Sequence, residues 1–147
     1  MIVEYDGTGY YGSQFQVGVP TIQGDIENAL KKITSEDIRI AFAGRTDAGV
    51  HAKGQVVSFS TCSNLSPQSL MRALNHYLRP DIAVKAAMRV QDSFHARRDA
   101  LSREYRYTIV NSPVPLPLQQ RYAYLVPSAL DIDSMNDACR HLVGIHD

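Results

Sequence analysis

Two apolar stripes at helical spacing, set among runs that alternate at strand spacing, constrain this chain more than any other feature. Ile22, Ile26, Leu30 and Ile33 recur close to every fourth residue, and so do Leu70, Leu74 and Leu78; this is the period of one buried helix face. Thr21 predicts an N-cap for the first helix. Ser66-Pro67 places proline at the first helical position of the second, and Pro80 forbids its continuation. Around them lie Met1-Ile2-Val3 running on to Tyr5, then Ile38, Ile40 and Phe42, then Val56, Val57, Phe59 and Thr61, and last Ile82, Val84, Ala86 and Met88. These runs predict strands. The resulting order is strand, helix, strand, strand, helix, strand, which is the ferredoxin-like arrangement. The expected class is therefore α+β, with a mixed, mainly antiparallel sheet, helices on one face and the other face free for a ligand.

Beyond Met88 the pattern is shorter. Tyr105, Tyr107 and Ile109 predict a further strand, with Tyr107 packed into a core. Closely spaced prolines from Pro113 to Pro117 exclude regular structure. A short strand is expected near Tyr122 to Val126, followed by a helix carrying Ile132, Met135, Cys139 and Leu142, with Gly144 as its stop.

With 147 residues and 44% hydrophobic content, the chain can bury roughly two thirds of its unfolded surface, enough for one real core. No apolar run reaches the ~18 residues of a membrane span, and the N-terminus lacks a basic-then-apolar leader; no membrane association and a cytoplasmic location are expected. Cys62 and Cys139 form no CxxC pair, so neither a zinc site nor a disulfide framework is predicted. The five histidines show no metal-ligand spacing, and no metal or organic cofactor is expected.

A formal net charge of zero hides an uneven distribution. Residues 1–38 carry 2 basic and 6 acidic groups, residues 39–121 carry 12 and 5, and residues 122–147 carry 1 and 4. The middle of the chain is thus net +7 between flanks of −4 and −3, the footprint a polyanion partner requires, although scattered solvated arginines give the same count.

Within that basic middle, the segment Ala43-Gly44-Arg45-Thr46-Asp47-Ala48-Gly49-Val50-His51 presents one carboxylate on a glycine-flanked loop between two predicted strands. An aspartate in such a loop ordinarily caps its own turn, and Arg45 at this spacing fits a plain loop salt bridge equally well. The stretch is nevertheless longer than a turn requires, and adds a cation, a hydroxyl and an imidazole. A second glycine pattern, Gly7-x-Gly9-x-x-Gly12, matches the dinucleotide fingerprint. That fingerprint works when its last glycine opens a helix, whereas here the next helix begins only near Thr21, beyond Pro20. A loop that packs or touches RNA suits Tyr10, Tyr11, Gln14 and Phe15 better.

The stretch Gly44 to His51 resembles the active-site motif of the TruA family of tRNA pseudouridine synthases. So do Glu4-Tyr5-Asp6-Gly7-Thr8-Gly9-Tyr10-Tyr11-Gly12, Thr21-Ile22-Gln23-Gly24, Gly54-Gln55-Val56-Val57, Phe94-His95-Ala96-Arg97 and Arg103-Glu104-Tyr105-Arg106-Tyr107. Each block is weak alone; together, in the family's order and over nearly the whole chain, they are specific. Ser13 departs from the pattern, standing where an aromatic is common.

The resemblance implies an isomerase that converts uridine to pseudouridine in the anticodon stem-loop of tRNA, near positions 38–40, as a homodimer and without a cofactor. It makes Asp47 the catalytic nucleophile or base and Tyr105 the platform that stacks on the flipped uracil. Arg45, Thr46, His51, Arg97 and Arg103 become RNA-contacting residues. It further implies a ferredoxin-like N-terminal domain over residues 1–100 and the start of a second domain over 101–147, whose family counterpart contributes an arginine and an apolar residue to the site. The chain alone is then expected to bind tRNA weakly and turn over poorly. Two other classes remain open: a non-catalytic RNA-binding module on the same sheet, and a nucleotide-cofactor enzyme using the first glycine loop.

Overall fold

The computed structural model describes residues 1–146, which divide into two compact units, Met1–Arg103 and Glu104 onward.

The first unit runs β1 (Ile2–Tyr5), α1 (Ile22–Thr34), β2 (Ala41–Phe42), β3 (Ala52–Ser58), α2 (Pro67–Tyr77) and β4 (Ile82–Ala86). Its sheet has the order β2-β3-β1-β4, and every neighbouring pair is antiparallel. The order and alternation of helices and strands match the ferredoxin-like expectation. Val3, Tyr5, Val57, Ile82 and Val84 from the strands share one buried cluster with Ile22, Ile26, Leu30, Leu70 and Leu74 from the helices. On the opposite side of the pleat Glu4 and Lys85 are exposed and paired at 2.7 Å, so polar and apolar positions alternate along β1 and β4 as a half-buried sheet requires.

The helix ends follow local chemistry. The Thr21 side chain accepts a hydrogen bond from the Gly24 N–H at 3.2 Å, and Ser66 accepts from Ser69 at 3.1 Å, each satisfying one of the free first-turn donors. Helix α1 stops at Ser35, which takes the left-handed conformation (φ 62°) and donates its N–H to Lys31. Helix α2 ends where Leu78 turns extended, ahead of Pro80.

Strand bounds differ from the sequence reading for tertiary reasons. Ile38 and Ile40 are buried as their alternation predicts, but β2 begins only at Ala41, because the Ile40 N–H is taken by the Glu27 carboxylate of α1 at 3.0 Å. Strand β3 begins at Ala52, four residues earlier than the apolar run, since Ala52 pairs with Tyr5 of β1, and it ends at Ser58. Strand β4 stops at Ala86, leaving Met88 exposed.

The second unit contains β5 (Ile109–Asn111) and β6 (Tyr124–Val126), paired in parallel, then α3 (Ile132–Cys139) and a single 3-10 turn over Arg140–Leu142. Asp131 caps α3 by accepting from the Ser134 N–H at 3.1 Å. Two expectations are corrected here. The strand begins at Ile109, not Tyr105, and Tyr107 is 79% exposed instead of packed in a core. No described residue of this unit is buried; the apolar spacing of α3 is present, yet Cys139 on that stripe is exposed.

Candidate active site

The loop from Ala43 to His51 leaves β2 and returns into β3, and its backbone is fastened along most of its length. At the entrance the Gln55 amide brackets Gly44, donating to its carbonyl at 2.7 Å and accepting its N–H at 3.2 Å. Arg103 donates from Nε and Nη2 to the Ala43 carbonyl at 2.9 and 2.7 Å. In the middle, Thr46 has all its polar groups engaged: its N–H donates to Ser13 Oγ at 2.8 Å, its carbonyl accepts the Ser13 N–H at 2.9 Å, and its hydroxyl lies 2.8 Å from Tyr5 Oη. On the far side the Gly49 N–H donates to the Tyr10 carbonyl and the Val50 N–H to the Asp47 carbonyl, both at 3.2 Å.

This fastening explains the first glycine loop. A Cβ on Gly7 would lie 2.1 Å from the Val50 carbonyl oxygen, and one on Gly12, where φ is +97°, would lie 2.9 Å from that of Thr46. Two of the three glycines in the dinucleotide-like pattern therefore let the two loops meet. Helix α1 begins only at Ile22, and its first N–H groups are spent on the first loop itself, Ile22 donating to the Gly12 carbonyl at 3.3 Å and Gln23 to the Ser13 carbonyl at 3.0 Å.

The Asp47 side chain is exposed on this rigid support. The N–H of Val50 goes to its backbone carbonyl and not to its carboxylate, so the turn-capping role open at the sequence level is not the one it plays. Among the described residues the carboxylate forms neither a hydrogen bond nor an ion pair, with Arg45 or otherwise. It opens on a cleft of about 410 Å3 lined by Tyr11, Gln14, Gln16, Arg45, Thr46 and Asp47 among others. Tyr11 is 58% exposed there; its own backbone is held by Gln16 Nε2 donating to its carbonyl at 2.6 Å and by its N–H donating to Pro20. A carboxylate that shares a polar, open cleft with an arginine is equipped to attack, to take a proton, or to stabilise a developing cation.

The remaining candidates separate into groups. Arg45, Thr46 and Asp47 share the cleft. His51 lies at the other end of the loop, with Nδ1 3.0 Å from Asp6 Oδ1 and 3.2 Å from the Gly7 nitrogen. Arg97 and Arg103 meet where Arg103 Nη2 donates to the Arg97 carbonyl at 3.2 Å, so the Arg103 guanidinium is engaged with two backbone oxygens. Tyr105 belongs to the second unit, outside any strand and 75% exposed. Tyr5, Ser13 and Gln55, which hold the loop, were not singled out as site residues by sequence. Tyr5 and Gln55 do fall within the motif blocks, but Ser13 stood out only as a departure. It is fully buried. Among the described residues no group of three His, Cys, Asp or Glu side chains is placed to hold a metal ion, and no helix is long and apolar enough to cross a membrane.

Comparison with known proteins adds an independent line. A family profile described as tRNA pseudouridine synthase matches residues 1–99. The chain is 46% identical over 145 residues to the tRNA pseudouridine synthase A of Roseiflexus castenholzii, covering 99% of this chain and 54% of that protein. It is 46% identical over 146 residues to the Brevibacillus brevis protein of the same name, with 99% and 60% covered. Against tRNA pseudouridine synthase A 2 of Clostridium perfringens it is 42% identical over 147 residues, with 100% and 60% covered. The chain thus spans between half and two thirds of the length of these relatives.

Proposed function

The chain belongs to the tRNA pseudouridine synthase family, and from that premise we propose that the protein carrying it isomerises uridine to pseudouridine in the anticodon stem-loop of tRNA, with Asp47 as the reacting group. The conversion breaks the N1–C1′ bond, turns the uracil and joins C5 to C1′; C5 gives up a proton and N1 takes one up. Atoms and electrons balance within the nucleoside, so the step needs no oxidant or reductant. The carboxylate attacks the nucleoside or deprotonates it, and its charge favours the cationic character that develops at the sugar.

The observation that carries this reading is the placement of Asp47: an exposed carboxylate in a polar cleft, on a loop whose peptide groups are fixed on either side. Preorganisation of this kind favours catalysis, because a group that need not be ordered during the reaction retains its full effect in the transition state. Arg45 takes the phosphate or the gap left by the flipped base. Tyr105, from a second domain that begins near Glu104, stacks on the uracil. Arg97 contributes charge to the tRNA surface. Thr46, His51 and Arg103 serve through the loop they hold, since each has a polar group turned toward backbone or a neighbouring side chain. The protein acts in the cytoplasm as a homodimer.

The test is Asp47→Asn in the full-length protein. Loss of tritium release from tRNA labelled at uridine C5, with tRNA affinity retained, is the expected result. Undiminished release removes Asp47 from the chemistry; absence of release from the unaltered protein, with tRNA still bound, leaves the non-catalytic RNA-binding module.

A further inference from the structure

Ser13 lies 33 positions before Thr46 and is fully buried. It holds both peptide groups that flank Thr46. Its Oγ accepts the Thr46 N–H at 2.8 Å, and its own N–H donates to the Thr46 carbonyl at 2.9 Å. The second contact reaches further than Thr46, because the Thr46 carbonyl shares a rigid plane with the Asp47 nitrogen. Downstream, the Asp47 carbonyl is held by the Val50 N–H at 3.2 Å. With the peptide planes on both sides of Asp47 held, its φ and ψ are set with them, and only the side-chain torsions remain to aim the carboxylate.

We propose that Ser13 is a positioning residue for the Asp47 carboxylate, acting through Thr46, and that its hydroxyl is required for turnover more than for tRNA binding. This inference rests on the catalytic reading of Asp47. Ser13 is not a catalytic residue: it is buried, and the polar contacts it makes to the loop are to Thr46. Its hydroxyl is the acceptor for a partly buried N–H, and a donor of that kind left without a partner favours conformations that expose it to water. Gly12, immediately before it, is held at φ +97° against the Thr46 carbonyl, so the clasp has little freedom to re-form by moving the first loop.

Two substitutions separate a positioning role from a purely structural one. Ser13→Ala removes the acceptor, and Ser13→Cys keeps nearly the same volume while replacing it with a weak one. In full-length protein the expected result for both is a kcat lower by ~10- to 100-fold, the range in which small misplacements of reacting groups fall, while KM for tRNA changes by less than about twofold. Amide hydrogen exchange at Thr46 should quicken in parallel. If Ser13→Ala melts below the assay temperature, Ser13→Cys decides the question. Unchanged kcat in a folded variant overturns the inference, as does a loss confined to KM. Asp47→Asn is assayed alongside. Loss of activity there with Ser13 variants fully active defeats the positioning role alone, whereas an active Asp47→Asn defeats the catalytic reading and this inference with it.

Discussion

Asn75 on α2 holds both backbone groups of Val84 on β4, donating from Nδ2 to its carbonyl at 2.9 Å and accepting its N–H on Oδ1 at 2.7 Å. Strand β4 is an edge of the sheet, and its outward backbone groups would otherwise be open to another strand. One side chain thus takes the place of a missing neighbour. Asn75→Ala should lower unfolding free energy by about 1–2 kcal/mol, two net hydrogen bonds, measured by urea denaturation. A midpoint unchanged from the parent protein would show that water replaces the amide at no loss.

The three glycines of the first loop should respond unequally. For Gly12→Ala the left-handed backbone and the 2.9 Å approach to Thr46 predict about 1–3 kcal/mol of destabilisation. Gly7→Ala, with its 2.1 Å clash against Val50 backbone, should be at least as severe and should lower activity by displacing the Asp47 loop. Nothing lies within 4 Å of a Cβ at Gly9, so Gly9→Ala should stay within about 0.5 kcal/mol of the parent. Thermal melts of the three variants decide it; equal effects at all three would point to a bound phosphate instead of loop contact.

Glu4 should titrate below the ordinary glutamate range. The hydrogen bond from Lys85 is the main cause, followed by the charge of the same lysine. A carboxylate lowered in the folded state contributes stability above its unfolded pKa and loses it as pH falls through the folded value, here on the acid side of about 4.3. The pair is exposed, so salt should weaken the effect. NMR titration of the Glu4 carboxyl carbon should show the lowered midpoint, and Lys85→Ala should return it toward the ordinary value.

At Tyr105 the ring and the hydroxyl make different predictions. Stacking on a base requires only the aromatic face, so Tyr105→Phe should leave isomerisation nearly intact. Tyr105→Ala should weaken the transition-state complex by ~1–3 kcal/mol, read from kcat/KM by tritium release. A larger loss in the phenylalanine variant than in alanine would reassign the residue to hydrogen bonding.

Much of the first unit was legible because it follows from local rules. Apolar spacing placed the faces of α1 and α2, side-chain oxygens at Thr21 and Ser66 set their starts, and alternation marked Ile38, Ile40 and Phe42 as buried. Element order then pointed to the ferredoxin-like sheet. Glycines and short polar residues marked the carboxylate loop as well. In the second unit alternation misled, since Tyr105, Tyr107 and Ile109 have strand spacing but the first two lie outside β5.

What the sequence determined by itself, then, is which residues carry apolar faces, where helices start, and which loop presents a carboxylate, all properties of a few neighbouring residues. Only the tertiary structure decided which polar groups meet: Ser13 with Thr46, Gln55 with Gly44, Glu27 with Ile40, Asn75 with Val84. A hydrogen bond is specified to a few tenths of an ångström between groups that can lie dozens of residues apart, and periodicity carries no record of such distances. Asp47 could be found in the sequence; the clasp that holds its loop still exists only once β1, its following loop and β3 are side by side.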